Sequence, residues 1–310
     1  TKLAIVDEAT GYLAGSGMFK TTDGGLRWTQ ILSPQSIDGG SVNDIHFLDV
    51  NNAFPVYTSD FENEPILERK NGLATTNDGG VSWTLTPLDH SQEISSVYFH
   101  STTTGFISAL DWEESETVIL KTEDGGKSWT QLVVGNFDRL VYRYLIFKYA
   151  DSRTGYAYQY TNVFITQDGG ESWVPYTFRN DLPSVNYDDI LCMGVVNEKT
   201  LFAGLSMIGS YTHDTPIVRF ESGSAPKVVA TIPHKVFQLE FSPTGNLGFA
   251  VGLKDADPPS ELSPVNLSLY RTGDKGETWQ EEYINEYIYD PSYIEIAAAM
   301  SVPSENVVYN

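Results

Sequence analysis

One eight-residue phrase recurs along this chain and constrains its fold more than anything else in it. Thr21-Thr22-Asp23-Gly24-Gly25-Leu26-Arg27-Trp28 returns as Thr76-Asn77-Asp78-Gly79-Gly80-Val81-Ser82-Trp83 and as Thr122-Glu123-Asp124-Gly125-Gly126-Lys127-Ser128-Trp129. It appears again as Thr166-Gln167-Asp168-Gly169-Gly170-Glu171-Ser172-Trp173 and as Thr272-Gly273-Asp274-Lys275-Gly276-Glu277-Thr278-Trp279. Each copy lies between a short apolar run and a Trp-led segment, the pattern of a β-hairpin closed by an Asp-Gly turn. The carboxylate accepts hydrogen bonds from turn amides, glycine takes a backbone conformation that a Cβ would penalise, and Trp lays a large apolar surface beneath. Asp23, Asp78, Asp124, Asp168 and Asp274 therefore read as structural residues. One calcium or catalytic site per hairpin would have no chemical rationale.

The spacing counts the units. Asp23 to Asp78 is 55 residues, Asp78 to Asp124 is 46 and Asp124 to Asp168 is 44, whereas Asp168 to Asp274 is 106, room for one unit that has lost its phrase. Repeats of this period mean a solenoid or a propeller. Each unit reads as four short strands, A to D, beginning with Leu3–Val6, Gly11–Gly15, Met18–Thr21 and Trp28–Ile31. Strand A is apolar enough to be expected buried on both faces. After the sixth unit, Tyr293–Met300 and Asn306–Tyr309 match strands A and B once more. The fold expected is all-β: a single propeller domain over residues 1–310, seven-bladed with the last blade incomplete, or six-bladed with a terminal extension.

The phrase resembles the Asp box of bacterial-neuraminidase-type repeats. Its Asp-Gly-Gly-x-Ser-Trp form is most similar to the photosystem II stability/assembly factor-like propellers, and more distantly to sialidase and sortilin-type propellers. The resemblance spans nearly the whole chain. It implies the fold and an extracytoplasmic setting (periplasmic, cell-surface or secreted), but it marks a hairpin and implies no particular activity.

Composition excludes several classes. With 19 Lys+Arg against 41 Asp+Glu, the formal charge of −22 is the opposite of a nucleic-acid footprint and disfavours docking on anionic lipid. It favours a cationic partner. No run is long and apolar enough for a transmembrane helix. Cys192 is the single cysteine, so an internal disulfide and a Cys-based metal centre are excluded. Set in the apolar run 190–194, it reads as a core thiol. No leader is readable before Thr1, and a processed N-terminus is expected. No cofactor and no metal site is expected.

In a four-stranded blade the A–B and C–D turns share one face, here the box face. The B–C loops and the connections between blades share the other, and that face carries the irregular sequence where function is expected. Trp112 is the one tryptophan outside a box. It sits on an acidic loop with Asp111 and Glu113, either as a stacking platform for a sugar or peptide or folded back on a neighbouring blade. Tyr211 and His213 lie on another such loop. Arg143, at the start of an A strand, is the one arginine placed for a central site. These six are the candidate ligand-binding residues. Carboxylate pairs such as Glu113 with Asp257 offer a glycosidase-like acid and base, but loops this acidic contain such pairs by chance. The sialidase Arg-Ile-Pro motif is absent, as are the serine elbow, the phosphate loop and the His-Glu-x-x-His helix. The expected function is a non-catalytic scaffold binding a protein or glycan on the B–C face. The alternative is a glycoside hydrolase using loop carboxylates there.

Overall fold

A computed structural model of the chain describes residues 2–5, 9–23, 26–37, 39–58, 71–88, 92–111, 116–132, 145–159, 162–177, 187–207, 214–242, 245–254 and 266–282. They form six four-stranded antiparallel sheets, each a meander in sequence order. Blade 1 is β1 (Lys2–Ile5), β2 (Gly11–Gly15), β3 (Gly17–Thr21) and β4 (Thr29–Leu32). Blade 2 is β5 (Ser41–Phe47), β6 (Ala53–Thr58), β7 (Asn71–Thr75) and β8 (Thr84–Pro87). Blade 3 is β9 (Gln92–Phe99), β10 (Gly105–Asp111), β11 (Glu116–Thr122) and β12 (Thr130–Leu132). Blade 4 is β13 (Ile146–Tyr149), β14 (Gly155–Gln159), β15 (Asn162–Thr166) and β16 (Val174–Thr177). Blade 5 is β17 (Tyr187–Asn197), β18 (Thr200–Met207), β19 (Thr215–Glu221) and β20 (Lys227–Ile232). Blade 6 is β21 (Lys235–Phe241), β22 (Gly248–Lys254), β23 (Asn266–Thr272) and β24 (Gln280–Glu282).

The fold class is thus an all-β propeller of four-stranded antiparallel blades, and the described residues form six blades, the alternative to the seven expected first. The degenerate unit is a complete blade 5, and the stretches read as a seventh repeat, 293–300 and 306–309, lie outside the described residues. Contacts divide the chain into two compact units: Thr1–Phe147 with Ser152–Ala157 and Phe164–Pro175, and Lys148–Asp151 with Tyr158–Val163 and Tyr176–Asn310.

Within each unit, blades are joined by aromatic pairs at register-equivalent places. An aromatic near the start of strand B in one blade packs on the last A-strand aromatic of the next: Tyr12 on Phe47 at 4.2 Å, Phe54 on Phe99 at 3.8 Å, and Phe202 on Phe241 at 4.0 Å between ring centroids. Each buried ring contributes about 1.5–3 kcal/mol of apolar burial, and the ring pairing roughly 0.5–1.5 kcal/mol more. Glycine makes room for this arrangement. Gly105 and Gly248 lie opposite Phe99 and Phe241 in register, and a Cβ on either would sit 2.5 Å from the ring.

Burial corrects one expectation. Two B strands, β6 and β14, are buried at every residue. The A strands alternate, with buried residues between partly exposed ones in β5 and β21. Their apolar residues face neighbouring blades, while Asn43, His46, Lys148, Gln238 and Glu240 stand at half-open positions.

Candidate functional site

The five boxes share a hydrogen-bond core, the threonine hydroxyl and the amide of the seventh residue both donating to the aspartate, while the Trp83 indole of box 2 donates instead to the Ile31 carbonyl of the preceding blade (2.9 Å). The box threonine is buried, 1–5 % exposed in all five copies. In box 3 the Thr122 hydroxyl donates to Asp124 Oδ1 (2.9 Å) and accepts from the Gly126 amide (2.8 Å). Asp124 Oδ1 also accepts the Lys127 and Ser128 amides (3.0 and 2.9 Å), and Oδ2 the Ser128 hydroxyl (2.6 Å). Trp129 Nε1 closes the turn by donating to the Gly126 carbonyl (3.1 Å). Asp78, Asp168 and Asp274 accept the equivalent hydroxyl and amide from Ser82, Ser172 and Thr278. Box 1 has Arg27 at that place, so Asp23 accepts its amide (2.9 Å) but gains no hydroxyl there.

The electrostatics follow from these donors, because hydrogen bonds to a carboxylate favour its charged form. The Ser128 hydroxyl and amide hold Asp124 down to about 2. Burial pushes Asp168 up, but the Ser172 hydroxyl and amide outweigh it and bring the group to about 2. The Ser82 hydroxyl first, and then its amide, hold Asp78 well below the ordinary range. Asp23 and Asp274 are lowered chiefly by the Arg27 amide and the Thr278 hydroxyl. These carboxylates are ionised, and each is engaged by its own turn. Among the described residues no three His, Cys, Asp or Glu side chains gather where a metal ion could be held.

Two glycines in the box do different work. The first ties the C–D turn to the A–B turn of the same blade: Gly79, Gly125 and Gly169 amides donate to the carbonyls of Asn51, Thr103 and Arg153 at 2.8–3.0 Å. In box 6 this residue is Lys275, which donates to Asn246 (3.2 Å) and is the one non-glycine residue with positive φ, 63°, among the described residues. The second glycine leans on the preceding blade. A Cβ on Gly80 would stand 2.7 Å from Ile31 Cδ1, one on Gly276 2.8 Å from Phe202 Cε1, and one on Gly126 would run into Leu73.

Of the candidate ligand-binding residues, Asp111 is the last residue of β10, its backbone paired with Glu116 and Gln92. Register puts it at the opposite end of blade 3 from the box, since Gly105 pairs with Thr122. Seven strand residues separate the two ends by about 20 Å. Trp112, Glu113, Arg143, Tyr211 and His213 lie outside the described residues.

Polar groups on the first strands of the blades were not singled out from sequence. Lys148 of β13 and Glu240 of β21 form an ion pair at 2.5 Å with side chains 29 % and 25 % exposed. Burial first, with Cys192 and Glu240 nearby, pushes the Tyr158 phenol far above its ordinary range, and burial lifts the Cys192 thiol to about 12. Cys192 is thus a protonated core thiol whose Sγ contacts the Val236 carbonyl at 3.8 Å. In blade 2, Asp44 is buried and accepts the Ser96 hydroxyl (2.8 Å) and the Val97 amide (3.0 Å) from blade 3. For Asp44, Lys148 and Glu240 the sequence signal was present, as polar residues alternating with apolar ones in strands A. The overall apolar character of the strands masked it.

No protein-family model matches the chain, and no curated protein matches it. Solved structures do. A structure of YCF48 bound to D1 peptide aligns with 91 % of this chain and 81 % of its own, with TM-score 0.58 and 19 % identity. An ancestral GH74 enzyme aligns with 94 % of this chain at TM-score 0.62 and 16 % identity, but only 39 % of that enzyme is covered. A mutant Trypanosoma rangeli sialidase with trans-sialidase activity aligns at TM-score 0.50 and 10 % identity, covering 87 % of this chain and 53 % of that one. The chain resembles the YCF48, GH74 and sialidase propellers in fold, and its repeated phrase implied the first and the last of these likenesses. Likeness at these identities is a likeness of fold.

Proposed function

We propose that this propeller is a non-catalytic, extracytoplasmic scaffold that binds a segment of a partner protein, or a glycan, on the connections at the blade ends away from the boxes. One observation carries the reading. A propeller solved with a peptide bound matches this chain over most of both lengths, 91 % and 81 %. The GH74 enzymes it overlays are more than twice as long as the region matched, at 39 % and 47 % coverage. The charge of −22 favours a cationic partner segment. The box carboxylates, each engaged by its own turn, leave binding to the irregular connections.

The test is a peptide array run beside a glycan and glycoside panel on one sample, scoring binding and bond cleavage together. Binding without cleavage, lost in the double variant Trp112→Ala/Glu113→Gln with circular dichroism unchanged, is the expected result. Unchanged binding in that variant removes this loop from the site. Cleavage of any glycoside, abolished by changing a B–C loop carboxylate, would replace the scaffold reading with the hydrolase reading that the GH74 likeness supports.

A further inference from the structure

In blades 1, 3, 5 and 6 one strand C position, the residue just before the box threonine where a box is present, lies opposite an aromatic residue of strand B, and in blade 6 it is Arg271 opposite Phe249. Lys20 pairs with Tyr12, Lys121 with Phe106 and Arg219 with Phe202. In these three blades the residue is cationic, and its side chain reaches forward to the next blade's box. Lys20 Nζ donates to the Gly79 carbonyl of box 2 at 2.9 Å. Lys121 Nζ lies 2.6 Å from Glu171, the sixth residue of box 4, and 2.6 Å from Glu123 of its own blade. Arg219 Nη1 donates at 2.9 Å to Glu277, the sixth residue of box 6, and Lys227 Nζ joins the same carboxylate at 3.1 Å.

Two features separate these contacts from ordinary surface pairs. The cations are largely covered, Lys121 at 11 % and Arg219 at 20 % side-chain exposure, and each stands between two carboxylates. The acceptors sit at the same box position, although Glu171 and Glu277 are far apart in sequence. Blade 2 provides the internal contrast. Thr75 takes the cation's place and Lys127 the carboxylate's, so no charge pair of this kind can form between blade 2 and box 3.

We propose that this cation is a forward latch, fastening blade 3 to the box of blade 4 and blade 5 to the box of blade 6 through a charge pair, so that opening of these seams depends on ionic strength. Blade 1 carries a weaker form of the latch, with a neutral carbonyl as acceptor. Salt shortens the reach of charge from about 10 Å at 0.1 M to about 3 Å at 1 M, which weakens a partly exposed pair while leaving apolar contacts in place.

Hydrogen exchange of the full chain, read by mass spectrometry at low and high salt, tests the latch. Exchange of the box 4 and box 6 amides, 166–173 and 272–279, should quicken about two- to fivefold between 0.05 and 1 M salt. Box 3, 122–129, should change less. Lys121→Met should abolish the salt response at box 4 and leave it at box 6; Arg219→Met should do the reverse. Thr75→Lys with Lys127→Glu should install the response at box 3, and neither substitution alone should. An equal salt response at all boxes, none at boxes 4 and 6, or a response that survives Lys121→Met would each overturn the proposal. Failure of the double variant to gain a response, with box 3 still folded, would overturn the transferable position on which it rests.

Discussion

The second glycine of the box is where the structure makes its sharpest energetic claim, and Gly126→Ala tests it. Gly126 has φ +90°, and an added Cβ would run into Leu73 of the preceding blade. Gly223, in the turn that replaces the box in blade 5, has nearly the same φ, +82°, with nothing within 4 Å of a built Cβ. The two sites therefore share the backbone term and differ in packing. Forcing an L-residue into the left-handed region costs roughly 1–2 kcal/mol, offset by about 0.4–1 kcal/mol because alanine restricts the unfolded chain. Gly223→Ala should thus cost about 1 kcal/mol or less. Gly126→Ala adds overpacking of about 1–3 kcal/mol, for a total of roughly 2–4 kcal/mol. Urea unfolding followed by Trp fluorescence and far-UV circular dichroism measures both, and coincidence of the two probes checks that one transition is being read. Leu73→Ala then removes the obstacle. In that background Gly126→Ala should be milder by about 1–3 kcal/mol, a coupling a double-mutant cycle resolves. Equal losses at Gly126 and Gly223, or no coupling to Leu73, would refute the claim that this glycine exists to let one blade close on another.

Two further outcomes are expected. Lys275, held at φ 63° where the other boxes have glycine, should accept Lys275→Gly with a gain of roughly 0.5–1 kcal/mol, seen as a higher melting temperature; a loss would mean its side chain, and not its backbone, decides the position. Stability should also rise with pH through the acid range. The His46 side chain is only partly exposed, and desolvation by the packed groups around its ring pulls the imidazole down to about 4, so between about 4 and 6.5 the unfolded chain binds the proton and the folded chain does not. Stability is therefore lost as pH falls from 6.5 towards 4. Below that, the box carboxylates held near 2 bring a second loss as pH drops from about 4 towards 2. His46→Gln should flatten the upper limb and leave the lower one; an unchanged upper limb would show that another group sets it.

What could be read from sequence divides by distance along the chain. The box turn is local, the hydrogen-bond partners given for Asp124 all lying within four residues of it, so the Thr-Asp-Gly-Ser order was enough to assign the turn. The six complete blades follow from the same spacing once the gap between Asp168 and Asp274 is filled. The roles that escaped are those whose partners come from another blade. Nothing near Gly126 announces Leu73, nothing near Lys121 announces Glu171, and the pairing of Asp44 with Ser96 spans 52 residues. The A strands were misjudged for a related reason. Their apolar residues were visible, but which face a neighbouring blade would cover was not, and Lys148 and Glu240 sit on the face left half-open.

Blade 5 shows what a blade needs and what it does not. It has no box, yet Phe202 still stacks on Phe241, and Arg219 still reaches box 6. Its turn at 221–226 still ties to the A–B turn, through the Ser222 amide and the Lys199 carbonyl at 2.8 Å. The tie made elsewhere by the first box glycine is thus made here by a serine, with Gly223 supplying the positive φ one residue on. The box is one solution to a geometric demand that another turn can also meet. A motif that answers such a demand can recur in propellers of different activity, whether they hold a peptide or cleave a glycoside. The box therefore carries no information about ligand. On the scaffold reading proposed above, that information resides in the sequence of the irregular connections that follow Asp111 and its counterparts.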